Sequence, residues 1–475
     1  MRPNCDQPMS RTSSFPGPKW ATCSPILPAY HWHSGRYPHL IKDLHDSYGT
    51  VVRTAPNELS FCSSASWKEI YGHVAGRKPF LKSAFYEPLP GETVNIVSVS
   101  NVAHHSAMRK NLSHGFSSTA LSAQEDLVQG FVNLLIRQIK QNFLDKPGDM
   151  VNWYNYTTFD TIGELAFGDP FGCLASGEPH FWIDILFDGI KTTNLSRAFE
   201  YFPLLRSLFR SLYKRKMIPS AITAPRAKQV AYAKDKIEMN PIRPDFLTRM
   251  IAEREEKGFS FQELLSQASI LVIAGSETTA TALAAITYYL CRTPSTYKKV
   301  AHEVRSSFKS VDEVSGRLTE QLPYLRAVIE EGLRIFPPIP TGPPRVSPGE
   351  YVEGCFVPSG TVVKVSPWAA THYNANFHQP YEFIPERWLD PECGDDKSAS
   401  QPFLLGSRGC LGRNLAQLEL RLILAKLLWD FDFVLKDKDL DWVKDNKSYG
   451  FWEKPSLPVQ FSCRLSRDTT PQQMS

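Results

Sequence analysis

One short stretch of the chain places a cysteine among glycines, with an arginine two residues before it. The stretch reads Phe403-Leu404-Leu405-Gly406-Ser407-Arg408-Gly409-Cys410-Leu411-Gly412, and a long segment with helical spacing follows it. A thiol at the start of a helix faces unpaired backbone N–H groups, which favour the thiolate and therefore metal ligation. The glycines allow tight turns and a close approach to a flat, bulky partner. Arg408 can neutralise an anionic group beside the sulfur.

The composition is that of a large globular protein. Of 475 residues, 42% are hydrophobic and 21% are charged, which is enough apolar sequence for a sizeable core. The 53 Lys and Arg residues against 49 Asp and Glu give a net charge of +4, too small to indicate nucleic acid as a partner. The sequence also contains no Walker loop, no dinucleotide fingerprint and no solenoid repeat.

The cysteines do not form a recognisable framework. There are nine of them, an odd number, and they are scattered without a Cys-x-x-Cys pair. A disulfide scaffold or a zinc site is therefore not expected, and a reducing, intracellular compartment is the better interpretation.

Apolar periodicity predicts a mostly helical chain. The predicted helices cover residues 39–48, 66–72, 104–116, 124–143, 154–167, 261–292, 295–308, 322–335 and a segment that follows Cys410 and ends near Trp429.

The 261–292 helix has an apolar middle, which raises the alternative of a membrane span. Glu277 lies at its centre, and inserting a carboxylate there would cost ~3 kcal/mol. Hydroxyl residues flank that glutamate, so a helix buried in a protein core is the better interpretation.

The remaining segments predict small β elements and loops. Residues 51–61 predict a hairpin turning at Pro56-Asn57, and residues 351–365 predict short strands. The proline-rich opening segment predicts an extended linker, and residues 80–101 predict a long irregular loop. The prediction is one domain over residues 1–475, mainly α with minor β-hairpins and small sheets. A polar segment at 1–20 and a polar tail at 465–475 flank it.

Residues 202–222 combine apolar and basic side chains at helical spacing. Such a basic amphipathic segment can lie on a membrane surface. The alternative is a helix that packs its apolar side on the core, and the sequence supports both equally.

The spacing Phe-x-x-Gly-x-Arg-x-Cys-x-Gly resembles the haem-binding loop of the cytochromes P-450. The resemblance implies the single-domain cytochrome P-450 fold around a buried haem b (iron protoporphyrin IX). It also implies that Cys410 is the axial thiolate ligand of the haem iron, that Phe403 packs beside the sulfur and that Arg408 pairs with a haem propionate. Gly406 and Gly412 complete the motif.

A second motif, Ala274-Gly275-Ser276-Glu277-Thr278-Thr279, lies in the long helix. In isolation Glu277 could belong to a solvated or salt-bridged helix face. In the family this pattern lies over the distal side of the haem, where Ala274 and Gly275 border the cofactor and Gly275 leaves room for dioxygen. The resemblance makes Glu277 and Thr278 an acid–alcohol pair that relays protons, a general-acid task.

A third motif, Glu331-Gly332-Leu333-Arg334, places two opposite charges three residues apart on one helix face. The ordinary interpretation is a surface ion pair worth ~0.5 kcal/mol. The resemblance implies a buried network that includes Arg387 of Pro385-Glu386-Arg387-Trp388. These residues are expected to be structural rather than catalytic.

Two further positions match propionate contacts of the family. His105 and Arg109 stand where the family commonly has Trp-x-x-x-Arg, so His105 is a departure that keeps a hydrogen-bond donor. Arg345 follows Pro343-Pro344 at another such contact. For either arginine the alternative is an ordinary surface residue.

The resemblance implies a monooxygenase that puts one atom of O2 into an apolar small molecule and the other into water. No flavin or ferredoxin module is found, so electrons are expected from NADPH through a separate flavoprotein reductase. Arg413, Arg421 and Lys426 are candidate docking charges, with a solvated helix face as the alternative. Rival functions are a haem-thiolate isomerase or dehydratase that needs no O2, and a non-catalytic haem-binding protein.

Several stretches, among them 57–61, Asp245-Phe246-Leu247 and 274–279, resemble the filamentous-fungal branch of the family, which oxidises terpenoids, polyketides and other secondary metabolites. Residues 80–101, 181–215, 337–344 and 446–453 are expected to line the substrate pocket. The polar start of the chain predicts no signal peptide or membrane anchor, whereas eukaryotic members usually begin with an anchor. The expected location is cytosolic or peripheral on the endoplasmic reticulum membrane. The sequence is compatible with an unanchored protein and with the loss of a first segment.

Overall fold

The structure is a computed structural model that describes residues 12–183, 185, 201–218, 220–239, 260–444 and 446–464. Several predictions fall wholly or partly outside these residues. They concern the N-terminal segment up to residue 11, residues 186–200 of one pocket segment, Asp245-Phe246-Leu247 and the tail at 465–475.

The described chain is mainly helical, which confirms the predicted fold class. The helices are α1 Ile26–His33, α2 Tyr37–Tyr48, α3 Ser64–Tyr71, α4 Val102–Ser113, α5 Ser118–Ala123, α6 Glu125–Asn142, α7 Met150–Phe167, α8 Cys173–Ser176, α9 Pro203–Lys214, α10 Ser220–Met239, α11 Phe261–Arg292, α12 Pro294–Ser307, α13 Gly316–Thr319, α14 Pro323–Ile335, α15 Pro367–His372 and α16 Arg413–Asp430.

Short strands form small sheets at the side of the helices. The strands are β1 Val51–Ala55, β2 Glu58–Phe61, β3 Leu81–Lys82, β4 Gly148–Asp149, β5 Arg345–Val346, β6 Glu350–Val352, β7 Cys355–Val357, β8 Val362–Val365, β9 Phe431–Leu435, β10 Lys447–Ser448, β11 Trp452–Glu453 and β12 Pro458–Cys463. The largest sheet has the order β1-β2-β8-β5-β3, and β2 runs parallel to β8 with Leu59 opposite Val363. A second sheet has the order β4-β12-β9, and β6-β7 and β10-β11 are isolated pairs.

Helix α11 runs through the interior and organises the packing. Its start is fixed by a capping box, in which Ser260 and Glu263 satisfy each other's backbone N–H groups. Its length and apolar composition would suffice to cross a membrane, but 72% of its most apolar window is buried inside the protein. A fully buried helix shows the same composition, so the core-helix interpretation accounts for it.

Helices α7 and α11 approach each other closely. Thr158 donates a hydrogen bond to the carbonyl of Ser276 across the interface at 3.0 Å. A Cβ on Gly275 would lie 2.9 Å from Ile162 Cγ1, closer than real contacts allow. The glycine therefore lets the two helices pack closely. That it also leaves room for dioxygen stays a prediction.

Three local predictions were wrong in detail. Part of the opening segment expected to be extended is helix α1, in which Pro28 lies within the first turns. The helix predicted at 66–72 begins at Ser64, because the side chain of Ser63 rather than Ser66 caps it. The helix within the 202–222 segment, α9, ends at Lys214, and a second helix, α10, begins at Ser220 and continues to Met239.

Candidate active site

The cysteine loop directly precedes α16 and contacts the end of α3 and helix α4. Gly412 occupies the N-cap position of α16, and the Cys410 N–H donates to the Phe403 carbonyl at 2.7 Å. Gly406 has a φ of 71°, and a Cβ there would lie 2.2 Å from the carbonyl oxygen of Tyr71. Gly406 is therefore required both by its left-handed backbone conformation and by the close approach of Tyr71 at the end of α3. At Gly412 a Cβ would meet only Phe116, at 4.0 Å, so the space around Gly412 does not require a glycine.

The surroundings of Cys410 affect the pKa of its thiol. The residue is solvent-accessible, yet protein surrounds it closely enough that burial raises the pKa of the thiol. The Gly412 N–H and the nearby Arg109 and Arg413 only partly offset this effect. The backbone N–H at the helix start therefore lowers the pKa of the thiol, as expected, but desolvation raises that pKa by more.

Five basic side chains converge beside this loop: Lys82, His105, Arg109, Arg345 and Arg408. Arg109 Nη1 donates to the Gly409 carbonyl at 2.6 Å, and Arg408 donates to the carbonyls of residues 99 and 100 at 2.9 and 3.0 Å. The Arg345 guanidinium is buried and lies 5.2 Å from the centre of the Tyr71 ring. His105 is also buried, in α4.

This group of five, called the cation cluster below, has no carboxylate partner among the residues that the structure describes. Burial, followed by Arg408 and Arg345, lowers the pKa of Lys82 to about 6. Burial, followed by the four other members, lowers the pKa of His105 to about 4. Like charges held together in a partly buried site repel one another, so the cluster is suited to an anionic partner. A haem carries two propionates and an iron that accepts a thiolate. The cation cluster fits the propionates, and Cys410 fits the iron.

One face of α11 stays accessible although the middle of the helix is buried. Ile270, Ile273, Ala274, Gly275 and Thr278 are half-buried and lie on neighbouring turns. We call this set the accessible stripe of α11. Gln267 of the same helix contacts the Met108 sulfur in α4 at 3.2 Å, so α11 packs against the helix that carries His105 and Arg109.

The predicted acid–alcohol pair is not joined in this structure. Thr278 Oγ1 donates to its own helix carbonyl, Ala274 O, at 2.8 Å. Glu277 is 2% exposed, forms an ion pair with Lys454 and accepts from Thr281 Oγ1 at 3.2 Å. No hydrogen bond links Glu277 to Thr278 in the described chain, because the two side chains leave the helix in different directions.

The structure brings Glu331, Arg334 and Arg387 together in the core. Arg334 forms two hydrogen bonds of 2.8 Å with the Glu331 carboxylate, and Arg387 Nε lies 3.1 Å from the same group. Trp388 Nε1 also donates to it at 2.9 Å. These groups are buried, and Arg334 further donates to the carbonyls of Thr371 and Pro380. The network fixes α14 to the segment that precedes the cysteine loop.

The candidate docking charges differ in exposure. Arg413 is exposed and lies 5.6 Å from the centre of the half-buried Phe403 ring. Arg421 is only half-buried, whereas Lys426 is 3% exposed and donates to Asn133 at 2.6 Å. Lys426 is therefore excluded as a surface charge for a protein partner.

Sequence reasoning missed two basic residues of this region, Lys82 and Lys454. Lys82 lies in the loop that the sequence marked as irregular, and Lys454 follows a predicted pocket segment. Neither stands in a motif with a characteristic spacing, so only their position in the folded chain identifies them.

Comparisons with known proteins agree with this geometry. A family model described as cytochrome P450 matches residues 16–460. The chain is 43% identical over 436 residues to cytochrome P450 monooxygenase ORF11 of Penicillium roqueforti, covering 90% of each chain. It is 41% identical to cytochrome P450 monooxygenase atr2 of Stereocaulon alpinum, over 94% of this chain and 90% of the relative. It is 38% identical to cytochrome P450 monooxygenase BOT4 of Botryotinia fuckeliana, over 94% and 86%.

Proposed function

This chain belongs to the cytochrome P450 family, and on that premise we propose that it oxidises an apolar small molecule as a tailoring step in fungal secondary metabolism. The chain is a haem-thiolate monooxygenase, and hydroxylation or epoxidation of a terpenoid or polyketide is the reaction proposed for it. The observation that carries the proposal is the accessible Cys410 thiol beside a cation cluster without a carboxylate partner in the described chain.

In this proposal Cys410 ligates the haem iron and Phe403 packs beside the sulfur. Arg109, Arg345 and Arg408 pair with the propionates, and His105 donates a hydrogen bond to them. Lys82 extends the set. Its ammonium donates to the carbonyls of Ile96 and Val97, and an anion at this site would offset its repulsion by Arg408 and Arg345. When bound, the haem supplies the activation of O2 by electrons from NADPH, which reach it through a separate flavoprotein reductase.

The accessible stripe of α11 then borders the other side of the reaction space. Ala274 and Gly275 present backbone and small side chains there, and Thr278 offers a hydroxyl. Glu277 is the proposed source of protons, although its carboxylate faces Lys454 and Thr281 in this structure. Proton transfer through Thr278 therefore requires the Glu277 side chain to turn.

The substrate is proposed to be apolar. Ile339 in the 337–344 segment is 45% exposed although its neighbours are buried, and Val97 in the 80–101 segment is 41% exposed. Apolar side chains left accessible beside a core are typical of a pocket for an apolar ligand.

We also propose peripheral contact with a membrane through 202–222 in an intracellular protein. No described residue of α9 is buried, which disfavours the alternative of packing on the core. Leu204, Leu205 and Leu208 are 87%, 46% and 56% exposed, next to the exposed basic residues 214–216. Such a surface matches an amphipathic helix that lies on anionic lipid.

The proposal is tested by the spectrum of the reduced protein with carbon monoxide. A red-shifted Soret band of thiolate-ligated haem is expected, and Cys410→Ala should abolish it. Cys393→Ala is the matched control, because that half-buried thiol donates to the Arg387 carbonyl and its loss should leave the band intact. An unchanged band in Cys410→Ala would place the ligand elsewhere.

Turnover separates the rival functions. A monooxygenase requires O2 and a reductase, whereas an isomerase or dehydratase forms product anaerobically without an electron donor. Mass spectrometry of the metabolites that accumulate when the gene is removed would supply the substrate for this assay.

A further inference from the structure

Two members of the cation cluster hold the backbone of one turn in the 80–101 loop. Lys82 Nζ donates to two successive carbonyls of this turn, at 3.1 and 2.5 Å. Arg408 donates to two further carbonyls, at 2.9 and 3.0 Å. We call residues 95–100 the clamped turn, and its four acceptors are the carbonyls of Ile96, Val97, Val99 and Ser100. The two cations therefore set where the backbone of this turn lies.

The N–H groups of the clamped turn have other partners. The Asn95 side chain accepts from two backbone N–H groups of the turn, at 3.0 Å each. Helix α11 holds the start of the turn, because Asn95 Nδ2 donates to Ser266 Oγ at 3.2 Å and the Ile96 N–H donates to Gln267 Oε1 at 3.1 Å. The turn is thus fixed to α11 through its first residues and to the cation cluster through its carbonyls.

The clamped turn carries a residue of the proposed substrate pocket. Val99 is 2% exposed and packs in the core, whereas Val97 is 41% exposed. Lys82 donates to the carbonyl of Val97 itself. The position of this apolar side chain therefore depends directly on a member of the cation cluster.

The same two cations have hydrogen-bonding capacity left for an anion. Lysine and arginine each have more N–H donors than the two that the turn uses, so each cation can contact the turn and an anionic group together. Burial, followed by Arg408 and Arg345, lowers the pKa of Lys82 to about 6. An anion beside Lys82 raises this pKa, and a charged donor makes the stronger hydrogen bond to a carbonyl. An anion in the cluster therefore tightens the turn.

We propose that Lys82 and Arg408 are positioning residues that bridge the haem propionates and the clamped turn, so that haem binding fixes one wall of the substrate pocket. The inference rests on the proposed function, because it takes haem as the anionic partner. Haem binding and the order of the turn then favour each other, since coupling between two sites is reciprocal.

The first experiment measures hydrogen–deuterium exchange of peptides that cover the clamped turn in the haem-loaded protein. Lys82→Met should speed exchange there about tenfold, because two of the four carbonyls lose their donor and the turn opens more often. Lys82→Arg can donate to both carbonyls and should keep the wild-type rate. Lys82→Gln, which retains a polar side chain, is measured as a second variant and should also speed exchange.

Two control variants separate the turn from haem binding in general. Arg345 belongs to the cation cluster, but it donates to the Pro344 carbonyl at 3.2 Å and, within the described chain, not to the turn. Arg345→Lys should therefore speed the loss of haem and leave exchange in the turn at the wild-type rate. Lys78→Met should change neither. Unchanged exchange in both Lys82→Met and Lys82→Gln, or equal acceleration in Arg345→Lys, would overturn the inference.

The second experiment compares the dissociation constants of imidazole and 4-phenylimidazole by absorbance titration. Both probes have a nitrogen that can coordinate haem iron, but only the second has an apolar ring that extends into the pocket. Lys82→Met should change the ratio of the two constants by about threefold or more, because the contact with Val97 is altered. Equal shifts for both probes would show that Lys82 acts on the haem alone, which would contradict the proposal.

Each protein is first checked for the reduced carbon monoxide spectrum. Absence of the thiolate band in wild type would overturn the proposed function. A normal band in wild type, together with unchanged exchange in the Lys82 variants, would overturn only the role given to Lys82 and Arg408.

Discussion

At the scale of single residues, the cation cluster places five basic side chains together without a carboxylate partner in the described chain. Lys82, His105 and three arginines face one another, and burial together with mutual repulsion lowers the pKa values of Lys82 and His105. In a protein without a bound anion such a cluster opposes folding. The propionates proposed for this site would turn the repulsion into attraction.

Replacing Lys82 by Met should speed the loss of haem about tenfold, because a charge-assisted hydrogen bond contributes roughly 1.5–3 kcal/mol and a tenfold change corresponds to about 1.4 kcal/mol. The transfer of haem to apomyoglobin, followed by absorbance, measures the rate. Lys78→Met is the control, because that lysine is exposed and lies just outside the cluster. Equal rates in all three proteins would remove Lys82 from the site.

Two glycines of the predicted site also have a packing role. Gly406 was expected to allow a tight turn, and its φ of 71° confirms that turn. In addition, a side chain would meet the Tyr71 carbonyl at Gly406 and Ile162 at Gly275, and the room for dioxygen expected at Gly275 stays a prediction. Both glycines position the site by letting distant parts of the chain approach it.

At the scale of elements, α9 differs from the other long helices because none of its described side chains is buried. Arg206 and Arg210 form ion pairs with Glu87, and these ion pairs connect α9 to the 80–101 loop. Its leucines lie on the surface beside basic residues, so the helix presents an apolar face without a protein partner in the described chain.

The double variant Leu204→Glu/Leu208→Glu should weaken binding to anionic phospholipid vesicles by about tenfold or more. Each leucine contributes roughly 1.5–3 kcal/mol when it is buried in lipid. Vesicle co-sedimentation measures the effect. The control is Val434→Glu, at a residue of β9 that is 55% exposed. Binding that survives in the double variant would locate the membrane contact in another part of the chain.

At the scale of the whole molecule, α16 and α11 meet through a buried carboxyl group. Glu419 is 2% exposed, hydrogen-bonds to Thr279 and leaves its second oxygen, Oε2, without a hydrogen-bond partner. Burial raises its pKa to about 8, so Glu419 is mostly protonated at neutral pH in the folded protein. Its partner Thr279 directly follows Thr278 of the proposed relay in α11.

The raised pKa makes stability depend on pH. Below about 4.5 Glu419 is protonated in both states, and its contribution is fully present; between about 4.5 and 8 only the folded state keeps the proton, so stability falls as pH rises. The melting temperature of wild type relative to Glu419→Gln should therefore decrease from pH 5 to pH 8, as measured by differential scanning calorimetry. Parallel curves for the two proteins would contradict the buried-acid interpretation.

The sequence by itself determined those features that depend on residues close together along the chain, namely helix positions and the motif around Cys410. Helical periodicity located most of the long helices to within a few residues, although it did not predict α10, and the spacing around Cys410 indicated the family. Helical periodicity does not identify the N-cap residue or the residue at which a helix ends. The N-cap role of Ser63 and the end of α9 at Lys214 were therefore not predicted.

Contacts between distant residues were decided only by the tertiary structure. Lys454 and Glu277 are separated by 177 positions, and no spacing rule connects them. The same holds for Lys82 with Arg408 and for Gly406 with Tyr71. The loop around Cys410 could be recognised because its residues are adjacent in sequence, whereas the charges that control the site converge only because α4, α11 and the small sheets pack around it.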